Sequence, residues 1–242
     1  MPPRFLVSPH FLLGSRAVLT GMELHHLRVR RLHVGSQVIL SDGLGHQRAG
    51  VLVALERQQA VVSLMPEEPP QRESRLRLVL AQAALKADRM DLIVEKATEL
   101  GVSEILVFNC ERSIGHPSPH RHARWQRIAR GAMKQSQRSA APAVVGPISF
   151  EQLLSRPEPL RLLFWEGEFV ASLTDVKNGA PDAILAVVGP EGGFSAAEVE
   201  QASGCGFHAV GLGPRTLRAE TAAVVAAALC QFLWGDLNRR QP

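Results

Sequence analysis

The pattern of hydrophobic and polar positions changes partway along the chain. In the first part, short apolar runs are separated by turns, and the runs at residues 38–40, 51–55 and 60–64 predict β-strands. Residues 24–31 predict one short helix among them. A chain segment with this pattern is expected to fold as a small β-barrel.

Beyond residue 75, strand-like apolar runs alternate with helical repeats. A helix is predicted at 88–100, where Gly101 stops the repeat, and another at 121–138, where Trp125 and Met133 mark a buried stripe. This alternation is typical of a mainly parallel sheet with helices on both faces. Strands are predicted at residues 76–81, 104–108, 160–165, 183–188 and 207–211.

A polar, proline-rich stretch at residues 65–74 separates the two patterns, as linkers between domains commonly do. We place the domain boundary inside it. The predicted fold is therefore α/β overall, with a small N-terminal β-barrel domain at residues 1–70 and a C-terminal α/β domain at residues 75–242.

The last predicted helix, residues 221–233, is apolar nearly all round. Such a helix is expected to be buried on every side. In a domain of this size a second subunit would help to cover it, which predicts a homodimer.

Two glycine-bearing loops each follow a predicted strand and lead into a helix. The first is the run GPEGGFS at residues 189–195, where Ser195 and Glu198 form a capping box. The second is the run LGPRTLRAET at residues 212–221, where Glu220 falls in the first turn of the last helix. Loops at the carboxyl ends of strands are where an open α/β sheet usually binds its ligand.

A glycine and proline turn is ordinarily only a turn, and one such loop would carry little weight. Two of them, the second rich in charged side chains, favour a ligand site. Neither loop matches the P-loop or the dinucleotide-binding fingerprint. The sequence thus indicates a nucleotide-like ligand held largely by backbone groups.

The composition of the chain excludes several classes of protein. The 242 residues carry a net charge of +4, and the three cysteines form no pair with metal-ligand or disulfide spacing. No apolar run approaches the roughly 18 residues of a membrane span. We expect a cytoplasmic protein with no metal and no membrane partner.

The basic residues form two islands that favour a polyanionic partner such as RNA. One lies within residues 1–31, and the other lies between Glu111 and Glu151, an interval without acidic residues. We expect the two islands to form one split surface. The candidate RNA contacts are Arg4, Arg28, Arg30, Arg124, Arg127, Lys134 and Arg138.

The paired loops resemble the RsmE family of SPOUT methyltransferases, which use S-adenosylmethionine to methylate N3 of a uridine in ribosomal RNA. The resemblance extends to residues 96–102 (KATELGV) and 135–138 (QSQR), and more weakly to residues 25–30. Thr216 departs from the family pattern, in which an aliphatic residue is expected.

The resemblance implies a PUA-like N-terminal domain, a trefoil knot in the C-terminal domain, and S-adenosylmethionine as cofactor. It further implies that small-subunit ribosomal RNA, free or in the 30S particle, is the substrate. Arg218 is the candidate catalytic residue, because an arginine can balance the charge that develops on the base, and Glu220 is one candidate proton acceptor. The candidate cofactor contacts are Phe164, Glu166, Gly189, Pro190, Glu191, Gly192, Gly193, Leu212, Gly213, Arg215, Leu217 and Thr221.

Two other hypotheses stay open at this point. A related SPOUT protein could methylate a ribose 2′-hydroxyl of tRNA or rRNA. A non-catalytic RNA-binding protein could carry the two loops as simple turns.

Overall fold

The computed structural model describes residues 2–66, 73–114, 118–167, 170–177 and 179–238. The chain divides into two compact units. The first comprises Met1–Glu73 with Met133–Ala141, and the second comprises Ser74–Ala132 with Pro142–Pro242. Residues 133–141 therefore belong to the first unit, although they follow the linker in sequence. Part of the predicted linker, residues 67–72, lies outside the described ranges.

In its described residues, the first unit contains a five-stranded mixed sheet, an α-helix and the end of a second helix that starts in the second unit. Its elements are β1 (Arg4–Leu6), a 3-10 helix (Pro9–Leu12), β2 (Arg16–Leu19), α1 (Gly21–Val29), β3 (Gln37–Ser41), β4 (Gln47–Leu55) and β5 (Ala60–Leu64). The strand order is β1-β3-β4-β5-β2. β1 pairs with β3 in parallel, and the other pairs are antiparallel. The three strands predicted from sequence are confirmed.

One apolar core holds this unit together. Leu27 of α1 packs with inward-facing strand residues such as Leu40, Leu52 and Val62, all of which are buried. The helix begins at Gly21 and ends at Val29, three residues before the predicted start and two before the predicted end. The earlier end has a local cause, because Arg31 adopts a left-handed conformation with φ +54° that a helix cannot continue through.

The second unit contains a six-stranded sheet in the order β11-β9-β10-β6-β7-β8, and every pair in it is parallel. The prediction of a parallel sheet is confirmed. Its strands are β6 (Arg77–Ala83), β7 (Glu104–Phe108), β8 (Ala143–Ile148), β9 (Leu160–Phe164), β10 (Ala183–Val188) and β11 (His208–Val210). Its helices are α2 (Ala87–Glu99), α3 (Pro119–Ser136, whose last four residues belong to the first unit), α4 (Phe150–Leu154), α5 (Ala196–Gly204) and α6 (Ala219–Leu233).

Helices cover both faces of this sheet, as predicted. Side chains of a strand point alternately to its two faces, so β10 sends Ile184 and Ala186 to one core and Leu185 and Val187 to the other. The first core contains residues of α2, α3 and α6, and the second contains residues of α4 and α5.

The ends of the long helices follow from backbone conformation. α2 stops just before Gly101, whose φ of +79° is left-handed, which confirms the predicted end. α3 ends at Ser136, two residues before the predicted end, because Gln137 has φ +64°.

Two elements of the second unit went unpredicted, the strand β8 and the short helix α4. β8 contains Gly146 and Pro147, which ordinarily argue against a strand because proline cannot donate to the ladder. The strand tolerates them because it lies at the edge of the sheet. α4 is a single capped turn, opened by the Ser149 side chain, which accepts a hydrogen bond from the Gln152 amide.

The apolar helix α6 is covered on one side within its own chain. Ala223, Ala226 and Cys230 are buried, whereas Phe232 is 51% exposed and Val225 is half-buried. Burial on every side is therefore not reached by this chain alone. Among the helices of the described ranges, none combines the length and apolar character that a membrane crossing requires. The trefoil knot stays a prediction.

Candidate active site

The carboxyl ends of β9, β10 and β11 meet at one edge of the second unit's parallel sheet. The loops that follow these strands enclose a cavity of about 420 Å³, within the size range of small-molecule sites in proteins. The cavity is lined by Arg89, Phe164, Trp165, Glu166, Val188, Gly189, Pro190, Glu191, Gly193, Phe194, Thr216, Leu217, Arg218, Ala219 and Ala222.

The first glycine loop, residues 189–195, is fixed at both ends. The Gln82 side chain donates a hydrogen bond to the Gly189 carbonyl at 3.0 Å. The Gly193 amide then donates to the Pro190 carbonyl, which closes a tight turn, and Gly193 takes the left-handed φ of +67° that this turn requires. The predicted capping box is confirmed, since the Ser195 amide donates to Glu198 Oε2 at 2.9 Å and the Ser195 hydroxyl accepts from the Glu198 amide.

The second glycine loop brings Arg218 to the cavity at the start of α6. Arg218 is the N-cap residue of that helix, and its exposed side chain makes no capping hydrogen bond. Leu212, Gly213 and Arg215 line a smaller cavity of about 60 Å³ that shares Leu217 and the Phe164 to Glu166 segment with the larger one. Gly213 has φ +97°, and a Cβ atom there would meet nothing within 4 Å.

Arg89, near the start of α2, is a cavity residue that sequence reasoning missed. Its Nη1 donates to Glu191 Oε1 at 2.9 Å, and its Nε lies 3.9 Å from Glu220 Oε2. One guanidinium thus connects the first glycine loop to the start of α6. Its sequence neighbourhood gave no signal, because an arginine in the first turn of an amphipathic helix ordinarily faces solvent.

Three predicted site residues lie outside both cavity linings. Gly192 is exposed, and its carbonyl accepts a hydrogen bond from Arg112 Nη1 at 2.8 Å. Thr221 is exposed in the first turn of α6. Glu220 lies next to Arg89, and its Oε2 atom is buried without a hydrogen-bond partner in the described part of the chain.

The candidate RNA contacts of the first unit are anchored rather than free. Arg28 Nη2 donates to the Glu56 and Arg57 carbonyls at 2.6 and 2.7 Å. Arg30 Nε donates to His26 Nε2 at 2.9 Å, and Arg4 donates to the Gln47 side chain. Burial, helped by the charges of Arg30 and Lys134, lowers the pKa of His26, which favours the neutral ring that can accept this hydrogen bond.

Of the candidate RNA contacts in and after α3, two are exposed and two are paired with carboxylates. Arg124 and Arg127 are exposed, although Arg124 Nη2 also pairs with Asp91 at 2.7 Å. Lys134 pairs with Glu23, and Arg138 is 4% exposed and pairs with Glu73 at 2.8 Å. The positive charges of these last two side chains are therefore paired with carboxylates of the first unit itself.

Comparison with known proteins assigns a class to both units. Residues 72–231 match an RNA methyltransferase domain, and residues 19–65 match an RNA methyltransferase PUA domain. The parallel sheet with its carboxyl-edge cavity is therefore the catalytic domain of an RNA methyltransferase, and the smaller sheet belongs to a PUA-like domain, as predicted.

Individual relatives narrow that class. The chain is 35% identical to the ribosomal RNA small subunit methyltransferase E of Synechocystis sp. across 94% of this chain and 77% of the relative. The Bacillus subtilis protein of the same name is 31% identical, across 88% and 89%. The crystal structure of the Neisseria gonorrhoeae protein of that name, bound to S-adenosyl methionine, superposes with a TM-score of 0.89 at 35% identity, across 98% and 100%. The chain belongs to the ribosomal RNA small subunit methyltransferase E family.

Proposed function

We propose that this protein transfers a methyl group from S-adenosylmethionine to N3 of one uridine in small-subunit ribosomal RNA. The observation that carries the proposal is the cavity of about 420 Å³, formed by both glycine loops with Arg218 at its wall, in a chain of this family. Membership of the family and the S-adenosyl methionine bound by the Neisseria gonorrhoeae relative support the cofactor.

The lining suits that cofactor chemically. Val188, Leu217 and Ala222 offer apolar wall for an adenosyl group, and the backbone at Gly189 and Gly193 offers polar groups at close range. When bound, S-adenosylmethionine supplies a methyl group on a positively charged sulfur. The residues that would hold it are those of the two loops together with Phe164 and Trp165 at the end of β9.

Arg218 suits the chemistry at the target base. N3 of uridine carries a proton that must leave, and negative charge then develops on the base. A guanidinium that stays charged at neutral pH stabilises that charge. Arg218 is free to do so, because its side chain has no hydrogen-bond or ion-pair partner within the described ranges.

For RNA, we propose that the exposed arginines of α3 contact backbone phosphates. Arg121, Arg124, Arg127 and Arg130 are all exposed on this helix. Replacing Arg127 and Arg130 by glutamine should reduce the slope of log affinity against log salt by about one unit for each lost contact. The matched control is Lys96→Gln, because the Lys96 ammonium is already paired with Glu95 and Glu99. This control should leave the slope unchanged. A slope that is unchanged in the double variant would leave these arginines as a solvated face.

We also propose a homodimer formed through the outer face of α6. One face of α6 is formed by positions 221, 225, 228 and 232, which are three or four residues apart. This face includes Val225, Ala228 and the exposed Phe232. Phe232→Arg should give a monomer by light scattering and lower activity. Ala226 would not serve, because it is fully buried within its own chain. A fully active monomer would overturn this proposal.

The decisive experiment is modification mapping. Small-subunit rRNA from cells lacking this protein should lose one N3-methyluridine, and purified protein with S-adenosylmethionine should restore it on unmodified 30S subunits. Mass analysis of the digested nucleosides separates base from ribose methylation. Ribose methylation, or binding without methylation, would refute the proposed function. The protein's location in the cytoplasm, where its substrate would be, stays a prediction.

A further inference from the structure

Four charged side chains line the main cavity: Arg89, Glu166, Glu191 and Arg218. Two of them neutralise each other, because Arg89 donates to Glu191 at 2.9 Å. In the described part of the chain, Glu166 and Arg218 have no hydrogen-bond or ion-pair partner. The cavity therefore presents one carboxylate acceptor and one guanidinium donor to whatever enters it.

An acceptor and a donor that line one cavity suit the reacting edge of uridine. That edge carries the N3–H donor between two carbonyl acceptors, O2 and O4. A carboxylate can accept from N3–H while an arginine donates to one neighbouring carbonyl. Cytidine presents a lone pair at N3, which a carboxylate repels, so this pair of side chains also discriminates between the two pyrimidines.

The Glu166 carboxylate lies in space that Gly193 leaves open. Glu166 follows the end of β9 by two residues, and its Oε1 lies 3.2 Å from the position that a Cβ atom at Gly193 would take. The glycine of the first loop thus leaves the space that the carboxylate uses. Glu166 also lines the smaller cavity, so it lies where the two cavities meet.

Glu220, the proton acceptor considered from sequence, is placed differently. It lines neither cavity, its side chain is mostly buried, and its Oε2 faces Arg89 Nε at 3.9 Å. A carboxylate in that position supports Arg89 and does not itself line the cavity.

Resting on the proposed function, we propose that Glu166 is the catalytic proton acceptor and, with Arg218, the group that selects uridine. Glu166 accepts a hydrogen bond from N3–H and takes that proton as the reaction proceeds. The N3 electron pair forms the new bond to the methyl carbon. The carbon–sulfur bond breaks with its electron pair staying on sulfur, so charge and atoms balance.

The test compares Glu166→Gln with Glu200→Gln, a matched change at an exposed glutamate of α5 outside the cavity. Single-turnover methylation of unmodified 30S subunits, at saturating S-adenosylmethionine, should fall about a hundredfold or more in the first variant, the usual size of a general-base contribution. It should be unchanged in the second.

Two binding measurements separate this role from others. Calorimetric affinity for S-adenosylhomocysteine should stay within about twofold of the wild type, since the proton acceptor acts on the base rather than the cofactor. A synthetic RNA spanning the mapped uridine should bind the wild type better than the same RNA with cytidine there. Glu166→Gln should lose that preference, because an amide can both donate and accept.

The outcomes decide between proposals. Normal transfer and an intact uridine preference in Glu166→Gln would overturn this inference while leaving the proposed function standing. Weakened S-adenosylhomocysteine binding with a normal rate at saturating cofactor would make Glu166 a cofactor contact and overturn it as well. A wild-type protein that methylates no uridine would instead refute the proposed function itself.

Discussion

The two edges of the six-stranded sheet use the same residue types for opposite purposes. At the amino edge, Arg77, Glu104, Arg156 and Glu158 form a closed ionic network. At the carboxyl edge, Arg218 and Glu166 share a cavity and stay unpaired within the described ranges. Arginine and glutamate stabilise the fold where they satisfy each other, and they become available for chemistry where they do not.

The amino-edge network is tight and partly buried. Arg156 Nη2 lies 2.6 Å from Glu158 Oε1, and Arg77 contacts Glu104 and Glu158 at 2.9 and 3.2 Å. Burial alone would raise the pKa of Glu158, but the hydrogen bond from Arg156 and the charges of Arg156 and Arg77 outweigh it, so its pKa lies below the ordinary value. The charged form of this buried carboxyl is therefore stabilised by the fold.

At the carboxyl edge, Arg218 and Glu166 lack such pairing within the described ranges. The two glycine loops of this edge contain glycines with left-handed backbone, and the Arg89 to Glu191 pair ties the first of these loops to α2. Unsatisfied polar groups of this kind cluster at functional sites, because full internal pairing would leave nothing for a ligand.

The largest effect should come from removing Arg218. Arg218→Met should lower methyl transfer by about 10²–10³-fold, the range measured when one donor to a developing charge is lost. Stability should change by no more than about 0.5 kcal/mol, because this exposed N-cap side chain makes no hydrogen bond to the helix. Single-turnover kinetics and urea unfolding measure the two quantities.

Arg218→Lys sharpens this prediction. It restores the charge without the planar fork, so activity should recover only partly. An active Arg218→Met variant, or one that unfolds, would contradict the view that Arg218 serves catalysis rather than stability.

The reverse pattern is expected at the amino edge. Arg156→Met leaves the fully buried Glu158 side chain with Arg77 alone, and loss of one partner of a buried pair costs about 3 kcal/mol. Urea denaturation should show that loss, while the methylation rate of the folded protein stays normal. The control is Arg121→Met, an exposed change on α3 that should alter stability little.

Much of this architecture could be predicted from sequence, because its signals are local. The strand periodicity, the Ser195 capping box and the two glycine loops each depend on a few neighbouring residues, and the structure confirms them. β8 was not predicted, because Pro147 is a valid reason to reject a strand unless its edge position is known.

The charged residues were harder to assign, because their role depends on distant partners. Arg138 and Arg127 look equivalent in sequence, yet Glu73 pairs with the first and the second is exposed. Arg89 lines the cavity and is hydrogen-bonded to Glu191, which is 102 positions away along the chain, so no local pattern could reveal the contact. From its motif Glu220 was one candidate proton acceptor, whereas the cavity lining contains Glu166 and not Glu220.

A smaller effect should separate the two neighbouring glycines of the first loop. Gly193 has φ +67° and lines the cavity, so Gly193→Ala strains the backbone and crowds Glu166. We expect about a tenfold loss of S-adenosylhomocysteine affinity by calorimetry, or about 1.4 kcal/mol. Gly192→Ala is the matched control, since its added Cβ would meet only the flexible Arg112 side chain at 3.3 Å. Equal affinities for the two variants would contradict the cavity as the cofactor site.

The smallest effect should be a pH dependence confined to the amino edge. Because the pKa of Glu158 is lower in the folded protein than its ordinary value of 4.5, the ionised network contributes stability above that value. This contribution is lost as the pH falls through the lowered pKa, where the folded protein also binds the proton. Glu158→Gln cannot ionise, but it keeps an oxygen to which Arg156 can donate. The wild type should therefore be more stable than Glu158→Gln at neutral pH. This difference in the free energy of unfolding should be smaller than the loss caused by Arg156→Met. Urea unfolding of both proteins at a series of pH values should show that advantage shrinking toward acid. An advantage that stays constant with pH would mean that Glu158 titrates alike in the folded and unfolded chains, and that the network owes its stability to packing rather than to charge.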